Sequence, residues 1–262
     1  MNLETKKNKL ITNKLIKYGY LKFKLKNKEF KHIKQILISS IKKNTEIKKP
    51  NLEKFHNQLN IVNLNKVRLN IFKQLNNKKA FVNNVYYSSR KYIDLFVGSE
   101  LCKSDINLSI QLPGDKSSLL EMHTDFFSGE SQYQVNLWIP FTKVKKTQSL
   151  FIINPKESIK ILKKIKNDKN LKFSDIEKNY KSKMTWINLN EGEGLLFSPN
   201  CLHGNVVNKE KNTRWSINVR YKNLFSPFSK IKNEKNILSF YKPYTLKAIT
   251  LFNLEYNFDE IN

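Results

Sequence analysis

Apolar and polar residues change their rhythm once along this chain, near Ser104. Before it, apolar residues recur every three or four positions, the spacing of helices with one buried face. Phe30, Ile33, Leu37 and Ile41 form such a stripe within Glu29–Lys43, and Lys31, Lys34, Lys42 and Lys43 fall mostly off it. Val67, Ile71 and Leu75 mark a second helix, and a third from about Arg90 to Phe96 stops at Gly98. The piece Tyr20–Leu25 alternates and reads as a strand ahead of these helices. From Ser104 to Tyr221 the period is mostly two, which predicts strands at Ile106–Leu112, Leu119–Phe126, Tyr133–Pro140, Leu150–Ile153, Thr185–Leu189, Gly194–Ser198, Gly204–Val207 and Trp215–Tyr221. One helix, Glu157–Lys166, interrupts them, and Asn236–Thr250 reads as a last helix. Many short strands separated by turn residues predict a sandwich or barrel, so the chain is expected to be mainly β with helices at its front. No internal repeat and no Pro- or Gly-rich linker divides it. A single domain over 1–262 is expected, with a mostly helical part (1–103), a β core (104–222) and a C-terminal extension (223–262).

The candidate chemistry lies in the β part. In a strand, residues two apart project from one face, so His123 and Asp125 of Glu121-Met-His-Thr-Asp-Phe126 present an imidazole and a carboxylate together. His203, about eighty residues on, supplies a third donor just after the strand Gly194–Ser198. Two histidines and one carboxylate on one face of a metal make the facial triad of Fe(II) oxygenases and leave the other face open. Arg214 and Ser216 share a strand face, and a guanidinium fork with a hydroxyl suits a small carboxylate. Gln134 and Asn136 share a face too. They would either hydrogen-bond a co-substrate or substrate, or line the barrel as ordinary polar residues, and Gln111 is a weaker case of the same kind. Trp138 continues that face as packing. Arg220 has the facing of Arg214 but lies six residues on, about 20 Å along a strand, so an outer role, binding substrate or pairing with an acid, is expected of it. His32 and His56 sit in lysine-rich helical surroundings and read as surface or packing residues.

The order His123-x-Asp125, a long gap, His203, then Arg214-x-Ser216 resembles the double-stranded β-helix 2-oxoglutarate oxygenases. The eleven-residue step from His203 to Arg214 is similar to the phytanoyl-CoA hydroxylase-like branch. The pieces Asn107-Leu-Ser-Ile-Gln-Leu-Pro-Gly-Asp115, His123-Thr-Asp-Phe-Phe-Ser-Gly-Glu-Ser131 and Tyr133-Gln-Val-Asn-Leu-Trp-Ile-Pro140 resemble a narrower group, the sporadically distributed 2-oxoglutarate/Fe(II) oxygenases of carbohydrate-biosynthesis clusters. The likeness runs roughly over residues 60–222. It implies a cupin-like jelly roll with a helical cap and Fe(II) held by His123, Asp125 and His203. It further implies 2-oxoglutarate held by Arg214 and Ser216, with Asn136 and Gln134 nearby, and consumption of O2 to hydroxylate a sugar or sugar-linked intermediate. The acid at 125 argues against halogenation, since the resemblance implies that halogenases free that place for chloride. Two readings rival it: a cupin-like metal-binding or sensing protein without turnover, and an oxygenase acting on nucleic acid or another small metabolite.

Composition adds limits. Hydrophobic residues make up 39% of the chain, enough for a core, and no apolar run approaches the roughly 18 residues of a membrane span. The N-terminus lacks an apolar signal segment, and Cys102 and Cys201 read as reduced, buried thiols, so a cytoplasmic protein is expected. The net charge is +26, which favours anionic small molecules. The lysines are scattered, without an aromatic-interleaved basic motif, so a nucleic-acid partner is not expected.

Overall fold

In the computed structural model, residues 3–168, 179–228 and 240–256 are described. Helix α1 (Leu3–Tyr18) ends at Gly19 and leads into β1 (Tyr20–Lys24). Then come α2 (Asn27–Asn44), α3 (Leu64–Asn76), α4 (Lys79–Val97), β2 (Leu101–Lys103), β3 (Asn107–Gln111), β4 (Gln134–Pro140) and β5 (Leu150–Ile152). The chain continues with α5 (Pro155–Asn167), β6 (Thr185–Trp186), β7 (Glu193–Phe197), β8 (His203–Asn205), β9 (Arg214–Asn223), β10 (Lys242–Thr245) and α6 (Ala248–Tyr256).

Among the described residues the strands form two antiparallel sheets that do not close into a barrel. The larger has seven strands in the order β1-β7-β4-β9-β2-β10, with β3 also on β9, and the smaller is β6-β5-β8. The ten-residue β9 organises the larger sheet, pairing with β4 along one edge and with β3 and then β2 along the other. Its alternation sorts two environments. Trp215, Ile217, Val219 and Tyr221 enter the core shared with the helices, while Arg214, Ser216, Asn218 and Arg220 line a cavity on the opposite face. Strand β4 obeys the same rule: Val135, Leu137 and Ile139 face the helices, and Trp138 faces inward.

The buried stripes of α2, α3 and α4 pack on the outer face of the larger sheet, with α4 across β4 and β9 and α3 against β3. A second core of Trp138, Leu150, Ile152, Leu195 and Phe197 fills the space between the sheets. Ile161 of α5 packs with Phe151 and Ile153 on the far face of the smaller sheet. Each amphipathic element thus buries its apolar side against a neighbouring layer. Among the described residues no helix is long and apolar enough to cross a membrane.

Several boundaries differ from those read in the sequence. Leu119–Phe126 is not a strand. It contains one isolated bridge, His123 to His203, and then turns through a short 3-10 helix, Asp125–Ser128. Helix α4 begins at Lys79 rather than near Arg90, because Phe81, Val82 and Val85 extend its buried face despite modest helix propensity. Of the expected helix Asn236–Thr250, residues 236–239 lie outside the described residues. Lys242–Thr245 forms an edge strand on β2 instead, and α6 starts only at Ala248. Pro243 pairs with Cys102 on that edge, where a missing N–H is tolerated.

Candidate metal centre and its cavity

Two backbone features bring the three expected donors together. His123 and His203 pair across an antiparallel bridge, each N–H donating to the other's carbonyl at 2.9 and 3.0 Å. Thr124 keeps an extended backbone (φ −119°, ψ 141°), so His123 and Asp125 project to one side although the strand does not continue. Glycine makes the approach possible. A Cβ on Gly204 would stand 2.8 Å from the carbonyl oxygen of Leu120, a backbone atom that cannot swing away. Gly19 plays a matching part behind the site. Its φ is +77°, a Cβ there would meet the Cys201 sulfur at 2.3 Å, and its carbonyl accepts from the Ser198 N–H at the start of the His203 loop.

The histidines are held in one tautomer. Nδ1 of His123 lies 2.7 Å from the Glu121 carbonyl oxygen, and Nδ1 of His203 lies 2.8 Å from that of Cys201. A carbonyl only accepts, so each Nδ1 carries the proton and each Nε2 keeps a free lone pair, as metal-binding imidazoles require. Those Nε2 atoms face Asp125, at 3.5 Å from Oδ1 for His123 and 3.9 Å from Oδ2 for His203. One donor atom from each residue lies within 4.8 Å of the others, the only such cluster among the described residues. Bonds of about 2.1 Å at right angles would set neighbouring donors roughly 3 Å apart, so a small inward movement seats an ion. Two imidazoles and a carboxylate fit a divalent first-row ion such as Fe(II) and leave coordination positions open. Cys201 stays out of the set, its thiol pushed up to about 12 by burial.

Asp125 is buried, which alone would raise its pKa. Its contacts with His123, Arg220, His203 and Asn136 outweigh that and hold the carboxyl well below the usual range. Asn136 donates to its Oδ2 and Arg220 donates to its Oδ1 at 3.1 Å. Burial in turn pulls His203 down to about 4, against the attraction of Asp125, so its ring is a neutral ligand at neutral pH.

Arg220 therefore pairs with acids, one of the two roles expected of it, but it does so beside His123, Asp125 and His203 rather than at an outer place. It stands between Asp125 and the wholly buried Glu130, 3.6 Å from the latter. Tyr241 of the C-terminal segment closes this network through its hydroxyl, which donates to Glu130 and meets Gln134 Oε1 at 2.7 Å. Gln134 also contacts Asn136 at 3.3 Å, so these two polar residues stand behind the candidate donors, and neither lines the cavity. Gln111 donates to the Val206 carbonyl and is likewise set back.

The cavity beside the donors has a volume of about 400 Å³. Arg214 and Ser216 line it as expected, together with Trp138, Phe197 and Leu150. Arg214 rests near the Trp138 ring and donates to the Gln148 carbonyl and the Ser109 hydroxyl, but its Nε and the Ser216 hydroxyl have no partner. Burial pulls Arg214 down to about 10, which leaves it charged at neutral pH. Unpaired buried polar groups are costly, so these two mark a place for an oxyanion. His32 and His56 lie elsewhere, against Asn84 and Thr213. The sequence reading missed Glu130, Tyr241 and Arg68. Glu130 lies within the quoted segment His123–Ser131 and Arg68 is a cation on the apolar stripe Leu64–Ile71–Leu75 of α3, but Tyr241 left no trace.

No protein-family model matches the chain. No curated protein matches it in sequence. Solved structures do match, and they show a fold shared with non-haem α-ketoglutarate-dependent enzymes. SnoK, a non-heme alpha ketoglutarate dependent carbocyclase from nogalamycin biosynthesis, aligns with a TM-score of 0.58 at 11% identity over 91% of this chain and 94% of its own. CytC3, solved with Fe(II) and alpha-ketoglutarate, aligns at 0.52 and 12% identity over 86% of this chain and 80% of its own. EvdMO1 aligns at 0.51 and 14% identity over 82% of this chain, which spans only 50% of EvdMO1.

Proposed function

We propose that this chain is a non-haem Fe(II) enzyme that uses 2-oxoglutarate and O2 to oxidise a small-molecule substrate, most simply by hydroxylation. The observation that carries it is the pairing of two features in one cavity. Nε2 of His123, Nε2 of His203 and the Asp125 carboxylate converge, and an unsatisfied Arg214–Ser216 pair lines the same space. Bound Fe(II) and 2-oxoglutarate would supply activation of O2, with the co-substrate leaving as succinate and carbon dioxide. The chain's own residues do the rest. His123, Asp125 and His203 hold the metal, and Arg214 with Ser216 holds the distal carboxylate of 2-oxoglutarate. Asn136 and Arg220 orient the Asp125 carboxylate, backed by Gln134, Glu130 and Tyr241. Trp138, Phe197 and Leu150 form an apolar wall that limits water beside the donors.

In this reading residues 104–222 are a double-stranded β-helix of cupin-like, jelly-roll type, capped by the helical 1–103, and 223–262 is an extension of the same single domain. The substrate is a carbohydrate-type molecule with anionic character, supported by the resemblance to carbohydrate-cluster oxygenases and by the net charge of +26. Two buried free thiols suit a cytoplasmic setting. Conversion of 2-oxoglutarate to succinate by purified protein tests the proposal. It is expected to need Fe(II) and to vanish in Asp125→Ala, with circular dichroism unchanged. Wild-type turnover and iron content in Asp125→Ala would refute the metal assignment.

A further inference from the structure

Arg68 is the cavity-lining cation that the co-substrate reading leaves unused. It sits on α3 in line with Leu64, Ile71 and Leu75, which are buried against the sheet, so the helix sets a half-buried guanidinium at the edge of the cavity. Among the described residues it meets no carboxylate. Its one side-chain partner is the neutral Asn65, at 2.7 Å. It thus presents a cation to the cavity with no counter-charge beside it among the described residues, a place an anion can fill.

The neighbouring wall is polar. Asn107 and Asn218 stand opposite each other on β3 and β9 and line the same cavity, and the Oδ1 of Asn218 is buried with no donor. Farther along β9 from Asn218, Arg220 is matched by Glu130. Charge balance then singles out Arg68. Fe(II) brings two positive charges and Asp125 cancels one, Arg214 and Arg68 add one each, and the 2-oxoglutarate dianion removes two. One positive charge remains, and Arg214 is taken by the co-substrate.

We propose that Arg68, with Asn107 and Asn218, is the substrate subsite for a singly charged oxyanion, a carboxylate or a phosphodiester, on a molecule that also carries hydroxyl groups. Arg68 binds the anion, and the orphan Asn218 Oδ1 accepts a hydrogen bond from a hydroxyl. This rests on the co-substrate reading above, because the balance of charge assumes Fe(II) and 2-oxoglutarate in place.

Calorimetry on protein loaded anaerobically with Mn(II) and 2-oxoglutarate tests it, with D-gluconate, dimethyl phosphate and the neutral D-glucitol as probes. Wild type is expected to bind gluconate or dimethyl phosphate about tenfold or more tightly than glucitol, the scale of one charge-assisted bond in a partly dry cavity. Whichever anion binds more tightly names the oxyanion. Arg68→Gln should erase most of that preference and Arg68→Lys should keep part of it, while affinity for 2-oxoglutarate stays unchanged in both. Lys66→Gln removes an equal charge from the exposed side of the same helix and should change nothing. Equal anion affinity in wild type and Arg68→Gln, an equal loss in Lys66→Gln, or no anion preference in wild type would each overturn the subsite. Failure of wild type to take up Mn(II) and 2-oxoglutarate would sink the co-substrate reading instead. The subsite would then be judged on gluconate binding by the metal-free protein, which must still depend on Arg68.

Discussion

At the scale of single residues, the two arginines of β9 have different surroundings although they share a facing. The Nε of each lacks a hydrogen bond, but Arg214 stands beside an unpaired Ser216 hydroxyl with no carboxylate against it among the described residues, whereas Arg220 is ion-paired with Asp125 and Glu130. Removing a bidentate anchor from a partly dry site costs on the order of 2–4 kcal/mol. Arg214→Ala is therefore expected to weaken 2-oxoglutarate roughly thirty- to several-hundred-fold while the metal still binds, as read by anaerobic titration. Arg220→Ala leaves two buried carboxylates without their cation. Chemical denaturation should show a loss on the order of 3–5 kcal/mol, accompanied by weaker metal binding. The reverse assignment, with co-substrate affinity lost in Arg220→Ala and kept in Arg214→Ala, would overturn the roles given to both.

At the scale of elements, the site depends on how closely the segment 120–125 approaches β8. Gly204 permits that approach, and the paired N–H groups of His123 and His203 fix it. Gly204→Ala places a methyl against the backbone of Leu120 and Glu121, so one segment must retreat and carry its histidine with it. Metal affinity should fall about 10- to 100-fold, the usual effect of disturbing what orients a ligand, with only modest loss of thermal stability. An unchanged metal affinity would mean that the bridge does not set the donor geometry. The short segment also explains a misread element. The alternation of Leu119–Phe126 is that of a strand, but β8 has only three residues to offer it, so a single bridge forms before the chain turns at Asp125.

At the scale of the whole molecule, the candidate metal centre joins parts distant in sequence. His123 and Asp125 come from a loop, His203 from the smaller sheet, and Arg220 from the larger sheet. A ligand that binds only this assembled state stabilises it by mass action. Mn(II) at a hundred times its Kd should raise stability by about 2.7 kcal/mol, visible as a higher Tm. Asp125→Ala should abolish that gain. An equal gain in the variant would place the stabilising metal elsewhere.

The donors and the strands that frame them were legible in the sequence, because their signals are local. A strand's period of two puts Arg214 and Ser216 on one face whatever surrounds them, and the extended Thr124 keeps His123 and Asp125 together even without a strand. The apolar stripes of α2 and α3 likewise announced which side would be buried. What only the tertiary structure decided depends on partners far along the chain. Tyr241 reaches the site through the pairing of β10 on β2, and no spacing relates it to Asp125. Glu130 is only five residues from Asp125, but the 3-10 turn that folds it back beside Arg220 has no signal in the alternation. Strand β10 exists because β2 offers it an edge, against a local pattern that reads as helix. Arg220 was assigned an outer place by distance along its strand. Only the packing of the 120–130 segment beside β9 brings two carboxylates to its guanidinium, and a buried charge goes where its counter-charges are.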